Sequence, residues 1–379
     1  MRRPSVRIFA GTLALALPLA AATGCAVEKK RTIKAEFASA SKHLKESKAS
    51  SFTLRLDDGK KSLEKLITKD GDTKPELAQA FTGGSITVTV AGQSLSRDAL
   101  TTSGDIAESL KNLSMSIVVR DNKAELGELR LVKGVLFAHV GLPEISRLAT
   151  LGGSTDFDSS LDQGAQDGPP ELATLLTDVR AGKWVKLDLT KYVDKLKELT
   201  EGFTGITPTT PPSADAFDAQ ALSDDLIAAV KPYVKVTDAN DSSSDRVLDI
   251  NVKARPALKA ALKVMQGAKD LPFPNPFVNV VPEDIDAAVK DGNAHGQIRL
   301  KDGHLRSFSL DVESLRQLAI DPGTDSLAGL DVTLDIDDDA DELVAPDNIS
   351  SVDIAALIDS FFEDLQNRPS QDATTALAG

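Results

Sequence analysis

The most informative pattern in this chain is alternation. Ser51-Phe52-Thr53-Leu54-Arg55-Leu56-Asp57 switches between polar and apolar at every step, and so does Gly84-Ser85-Ile86-Thr87-Val88-Thr89-Val90. A period of two predicts strands that pack one face and wet the other. Three further runs, Leu113–Val119, Glu125–Leu131 and Val135–Val140, are separated by short turns, the last at Lys133-Gly134, and predict an antiparallel meander. Lys183–Leu189, Val247–Val252, Ala294–Leu300, Leu305–Val312 and Gly329–Ile336 add five more strands, two of them joined by a Lys301-Asp302-Gly303 turn. The Gly134 and Gly303 hairpins resemble one another, a likeness explained by shared turn chemistry without a duplication.

Helical spacing appears between these strands. Ile33, Phe37, Ala40 and Leu44 form one narrow stripe over 33–48. Helices are expected over Ser62–Leu66, Glu76–Phe81, Glu171–Arg180, Lys191–Leu199, Ala221–Tyr233 and Pro256–Met265. Residues 151–170, rich in Gly, Asp and Ser, are expected as a surface connection, and the four prolines within 267–282 as a loop. Gly205–Ser213 is a low-complexity stretch that reads as a flap or boundary, and Ser351–Leu365 as a closing amphipathic helix. The organisation predicted is a removable segment over 1–24, a tether over 25–34, one α+β domain over 35–366 and a flexible tail over 367–379.

The amino terminus sets the address. Arg2, Arg3 and Arg7 precede an uncharged, mainly aliphatic stretch from Ile8 to Ala22, too short for a spanning helix, which needs about 20 apolar residues. Ala22-Thr23-Gly24-Cys25 follows and resembles the lipobox of bacterial lipoproteins, with Ala22 where leucine is usual. That resemblance implies cleavage before Cys25, acylation of its thiol, and attachment to the outer face of the cytoplasmic membrane. Cys25 is the single cysteine in the chain, so an exported form has no internal disulfide to build.

Charge narrows the partners. The full chain carries −14, and loss of the three signal arginines makes the mature chain more negative still. This disfavours nucleic acid and any polybasic grip on anionic lipid. Aromatic content of 4%, with one tryptophan, leaves little for stacking on sugars or bases, so any cavity has aliphatic walls.

No catalytic constellation emerges, and no cofactor is implied. The four histidines, His43, His139, His295 and His304, lack a zinc-type partner two or four residues away and are expected to face solvent or to be structurally satisfied. There is no G-x-S-x-G elbow and no phosphate-binding glycine loop. The densest charged feature runs from Asp331 to Glu342. On a strand Asp331, Asp335 and Asp337 share a face and offer oxygens to a hard cation, although the glycine of an EF-hand is absent. A solvated face whose charge discourages edge pairing is the preferred reading.

The order of these elements resembles the actinobacterial envelope lipoproteins with a LolA-like half-barrel, the group that includes mycobacterial carriers of lipids and lipoglycans. The resemblance rests on the lipobox, the opening helix into Ser50-Ser51-Phe52, the hairpin from Gly134 to Phe137, Gly182-Lys183-Trp184-Val185-Lys186, the strand and helix over Val247–Met265, and Lys301-Asp302-Gly303. It implies a large curved antiparallel sheet with helices packed on the concave side, around an aliphatic cavity for acyl chains. This chain exceeds the usual family length in its polar loops. Under that reading the cavity wall comprises Ile86, Val88, Val90, Leu136, Val185 and Leu187 from the first part of the chain. Leu248, Ile250, Ile298, Phe308 and Leu310 complete it. The function expected is binding or carriage of an amphiphile, with a ligand-free envelope interaction or structural module as the alternative. An alternating strand presents the same apolar face to a cavity and to a solid core.

Overall fold

The structure, a computed structural model, describes residues 30–59, 61–69, 74–91, 111, 114–122, 124–154, 156–189, 219–239, 245–268, 275, 277–320, 325–353 and 356–357. Cys25, the signal segment, Lys191–Leu199, Gly205–Ser213, most of Ser351–Leu365 and the tail lie outside the described residues.

Eleven strands form one antiparallel sheet. In chain order they are β1 (Ala49–Asp58), β2 (Ser85–Ala91), β3 (Ser114–Arg120), β4 (Glu125–Val132), β5 (Val135–Val140), β6 (Val185–Asp188), β7 (Val234–Asp238), β8 (Asp245–Lys253), β9 (Asn293–Lys301), β10 (His304–Asp311) and β11 (Leu330–Asp337). Their spatial order is 6-5-4-3-2-1-11-10-9-8-7, two meanders joined where β1 pairs with β11. The sheet does not close, so the architecture is an α+β half-barrel with β6 and β7 as its edges. The β4–β5 and β9–β10 turns place both central residues at positive φ, Lys133 and Gly134 in one, Asp302 and Gly303 in the other. That geometry matches the strands' right-handed twist, and Gly adopts it without a Cβ penalty.

Ten α-helices lie among the described residues: α1 (Lys30–Glu46), α2 (Ser62–Thr68), α3 (Pro75–Thr82), α4 (Leu142–Leu151), α5 (Phe157–Asp167), α6 (Pro170–Arg180), α7 (Ala219–Val230), α8 (Ala254–Gly267), α9 (Pro282–Ala288) and α10 (Val312–Leu318). In α8 the buried set Ala254, Ala257, Leu258, Ala261 and Leu262 repeats at three and four residues and so forms one stripe. The alanines bring the helix backbone close to β8 and β9, where Leu248, Ile250 and Ile298 are at most 2% exposed. Phe37 and Ala40 of α1, Val230 of α7 and Ile285 of α9 complete this core.

The surface connection expected over 151–170 is in fact mostly helical. Phe157, Leu161 and Ala165 recur every fourth residue inside an otherwise polar composition. Ser146 Oγ donates to Asp158 at 2.7 Å and Arg180 reaches Asp162 at 2.6 Å, which ties α5 to α4 and α6. Helices α4, α9 and α10 and the short edge strand β7 were also absent from the pattern reading, each being short or flanked by proline.

After β11 the chain runs back to the far edge of the sheet. Arg130 Nη1 donates to the Val344 carbonyl at 2.9 Å, and Ile349 makes a parallel bridge with Trp184. Ser350 Oγ and Lys183 Nζ both donate to Asp178, each at 2.7 Å. Those two donors, Lys183 foremost, hold the Asp178 carboxyl below its ordinary range. This strap satisfies the backbone of Trp184 at the start of the β6 edge, where free backbone groups would otherwise invite pairing.

Candidate functional site: the uncovered half of the apolar sheet face

The strand registers divide the sheet into two faces of opposite character. On one, Ser51 meets Thr89 at 2.6 Å, Thr53 meets Thr87 at 2.9 Å, and Gln297 meets Asp249 at 3.0 Å. Arg55 reaches Asp335 at 2.6 Å on this same polar face.

The other face is apolar across all eleven strands, and it carries every proposed wall residue. One transverse row runs through Ile298, Phe308, Leu334, Leu54, Ile86 and Val119, each directly opposite the next. The adjoining row runs through Phe52, Val88, Ile117, Leu129, Ala138 and Val185. A third joins Val90, Met115, Leu131, Leu136 and Leu187.

Helix cover divides this face in two. On β8 to β10, Leu248, Ile250, Ile298, Phe308 and Leu310 are all buried beneath α1, α7, α8 and α9, so these five are core rather than cavity wall. Across β1 to β4 the middle of the same face is open, although Leu131, further along β4 on this face, is buried. Leu54 is 38% exposed, Ile86 45%, Val119 37% and Leu129 48%. The remaining proposed wall residues, Val88, Val90, Leu136, Val185 and Leu187, are half-buried around them. Leu54, Val119 and Leu129 were not singled out from sequence, although all three lie in the runs that marked their strands. A contiguous apolar surface of this kind marks a place where a partner or ligand replaces water.

The acidic strand does not assemble as a cation site. Asp331, Asp335 and Asp337 do share the polar face, but four strand residues separate the first two by about 13 Å, beyond the reach of one ion. Asp335 is engaged by Arg55. Asp331 lies opposite Asp57 on one side and Asp311 on the other. Burial first, and the Asp311 charge second, raise its carboxyl above the ordinary range.

The histidines separate as well. His139 pairs with Glu125 at 2.9 Å, beside Trp184, while His295 is exposed. His304 contacts Asp338 at 2.6 Å, and the ring of His43 stacks on it with centroids 4.3 Å apart. Among the described residues, the side chains whose metal-type donor atoms converge are His304, Asp338 and Asp339, not the three aspartates of β11.

No family model matches the chain, and no curated protein matches it. Among solved structures it is similar to the lipoprotein LppX of Mycobacterium tuberculosis, with 10% identity over 82% of this chain and 97% of that one, at a TM-score of 0.28. It is also similar to LprF from Mycobacterium bovis, with 8% identity over 83% and 96% of the two chains, at a TM-score of 0.29. No helix among the described residues is long and apolar enough to cross a membrane.

Proposed function

We propose that this protein is a non-enzymatic extracytoplasmic lipoprotein, held at the membrane by acylated Cys25, that seats the acyl chains of an amphiphile on the open half of its apolar sheet face. The observation that carries the reading is the aligned, exposed row Leu54, Ile86 and Val119, with Leu129 beside it. Each methylene transferred from water onto such a surface contributes about 0.8 kcal/mol, so acyl chains bind there without reactive groups. The anchor supports the same reading, because a protein tethered beside a bilayer meets amphiphiles at their source. Titration of the mature chain with a fluorescent fatty acid tests it. Ile86→Asp and Val119→Asp put charge where water already reaches, so folding survives while affinity falls roughly tenfold or more; Lys235→Ala on the β7 edge leaves it unchanged. Equal affinity in all four proteins contradicts the proposal.

The closed core over β8 to β10 favours a second reading for that half of the molecule. There the sheet acts as a solid scaffold, as the alternative of a ligand-free envelope interaction or structural module requires.

A further inference from the structure

The group formed by His304, Asp338 and Asp339 lies where the β9–β10 hairpin, the end of β11 and the carboxyl-terminal turn of α1 meet. We propose that these three side chains bind a divalent transition-metal ion.

Their donor atoms, one imidazole nitrogen and two carboxylate oxygens, all lie within 4.8 Å of one another. Two ligands held tetrahedrally at roughly 2.0–2.2 Å from one ion lie about 3.4 Å apart, and His304 Nδ1 and Asp338 Oδ2 are 2.6 Å apart. Opening that contact by less than about 1 Å admits the ion between them.

The surroundings fix these donors in place. The Asp338 side chain is 3% exposed, and Arg306 Nη1 donates to its Oδ1 at 3.2 Å, which leaves Oδ2 directed at the imidazole. Arg306 therefore has the place of an outer-shell group that orients a ligating carboxylate. The His43 ring, 25° from coplanar with that of His304, covers one face of the imidazole and restricts its rotation. Asp339 is exposed and leaves the remaining coordination positions open to water.

Charge points the same way. Asp337, Asp338, Asp339, Asp341 and Glu342 crowd this end of β11, against Arg306 and the imidazole. An imidazole with two carboxylates suits zinc and its neighbours in the first transition row. Calcium takes oxygen ligands, and the imidazole nitrogen counts against it.

Calorimetric titration of the full mature chain with zinc chloride tests the site, read alongside the imidazole resonances in a nitrogen-15 NMR spectrum. One zinc ion binds, the His304 resonances shift, and thermal unfolding rises with zinc concentration as mass action requires. Asp339→Asn alters an exposed carboxylate and keeps the fold, so it separates loss of a ligand from loss of structure; it weakens zinc roughly tenfold or more. His304→Ala abolishes the binding, and His139→Ala leaves it intact. Absence of zinc binding by the wild type, unchanged binding in His304→Ala and Asp339→Asn, or equal stabilisation by calcium would each overturn the proposal. None of these readouts depends on an amphiphile.

Discussion

Leu54 on β1 lies directly opposite Leu334 on β11, and the boundary between covered and open sheet falls at this pair. One strand beyond Leu334, Phe308 is 4% exposed beneath helices; one strand beyond Leu54, Ile86 is 45% exposed. The row is equally apolar on both sides, so the difference comes from where the helices sit.

That boundary predicts two classes of truncation. Leu248→Ala and Ile298→Ala remove fully enclosed side chains and are expected to cost about 2–5 kcal/mol each. Leu54→Ala and Ile86→Ala remove groups that already meet water and are expected to change stability by less than about 1 kcal/mol. Urea unfolding of the four variants checks this, and comparable losses in both classes would place the open residues in a core.

Glu313 governs part of the acid response. Its carboxylate accepts from Arg316 at 2.6 Å, from Gln317 at 2.9 Å and from the Leu327 backbone at 2.6 Å. These bonds, led by Arg316, lower its pKa from 4.5 to about 2 against the opposing effect of burial. A depressed carboxyl contributes stability that is complete above the unfolded value and lost as pH falls through the folded one. Unfolding midpoints of the wild type should therefore drop between pH 4.5 and about 2. Glu313→Gln should be less stable at neutral pH and show a shallower drop across that window.

Asp331 predicts the opposite sign. Its raised pKa means that the ionised form is the one folding disfavours, so its cost is present at neutral pH and relieved as pH falls. Like charges directly opposite on neighbouring strands are destabilising, and Asp331→Asn should raise the melting temperature by roughly 1–3 °C at pH 7. A lower melting temperature would show that the charge has a stabilising partner.

Much of this architecture was legible in the sequence because a half-wetted sheet writes its period into the chain. Phe52, Leu54 and Leu56 alternate with Thr53, Arg55 and Asp57, and β1 follows from that alone. Helix α8 was marked by Pro256 as a helical start, and it opens two residues earlier, at Ala254. Elements stabilised by distant contacts were not: α5 is polar in composition and is held by Asp158 and Asp162 bonding to other helices. The candidate wall residues share one face, but alternation does not encode which stretch of that face a helix covers, so Leu248 and Ile86 looked alike. The His304 and Asp338 contact spans 34 residues of chain and exists only because β10 and β11 are neighbours. Searching for ligands two or four residues apart passes over it.

The anchor is tested separately from the ligand. Replacing Cys25 with serine should abolish metabolic labelling with palmitate and move the protein from the membrane fraction to the soluble one. The two or more acyl chains that the lipobox resemblance implies hold firmly where one binds only marginally. A wild-type chain that is never labelled would remove the tether.

Native mass spectrometry of the mature protein, purified from its own cells without detergent and paired with lipid extraction, tests amphiphile binding most directly. The open row at Leu54, Ile86 and Val119 predicts a population heavier than the chain by the mass of an extractable amphiphile, lost in Ile86→Asp. Recovery of the ligand-free mass alone, from wild type and variant alike, would contradict lipid binding and leave the apolar face as a surface for another protein.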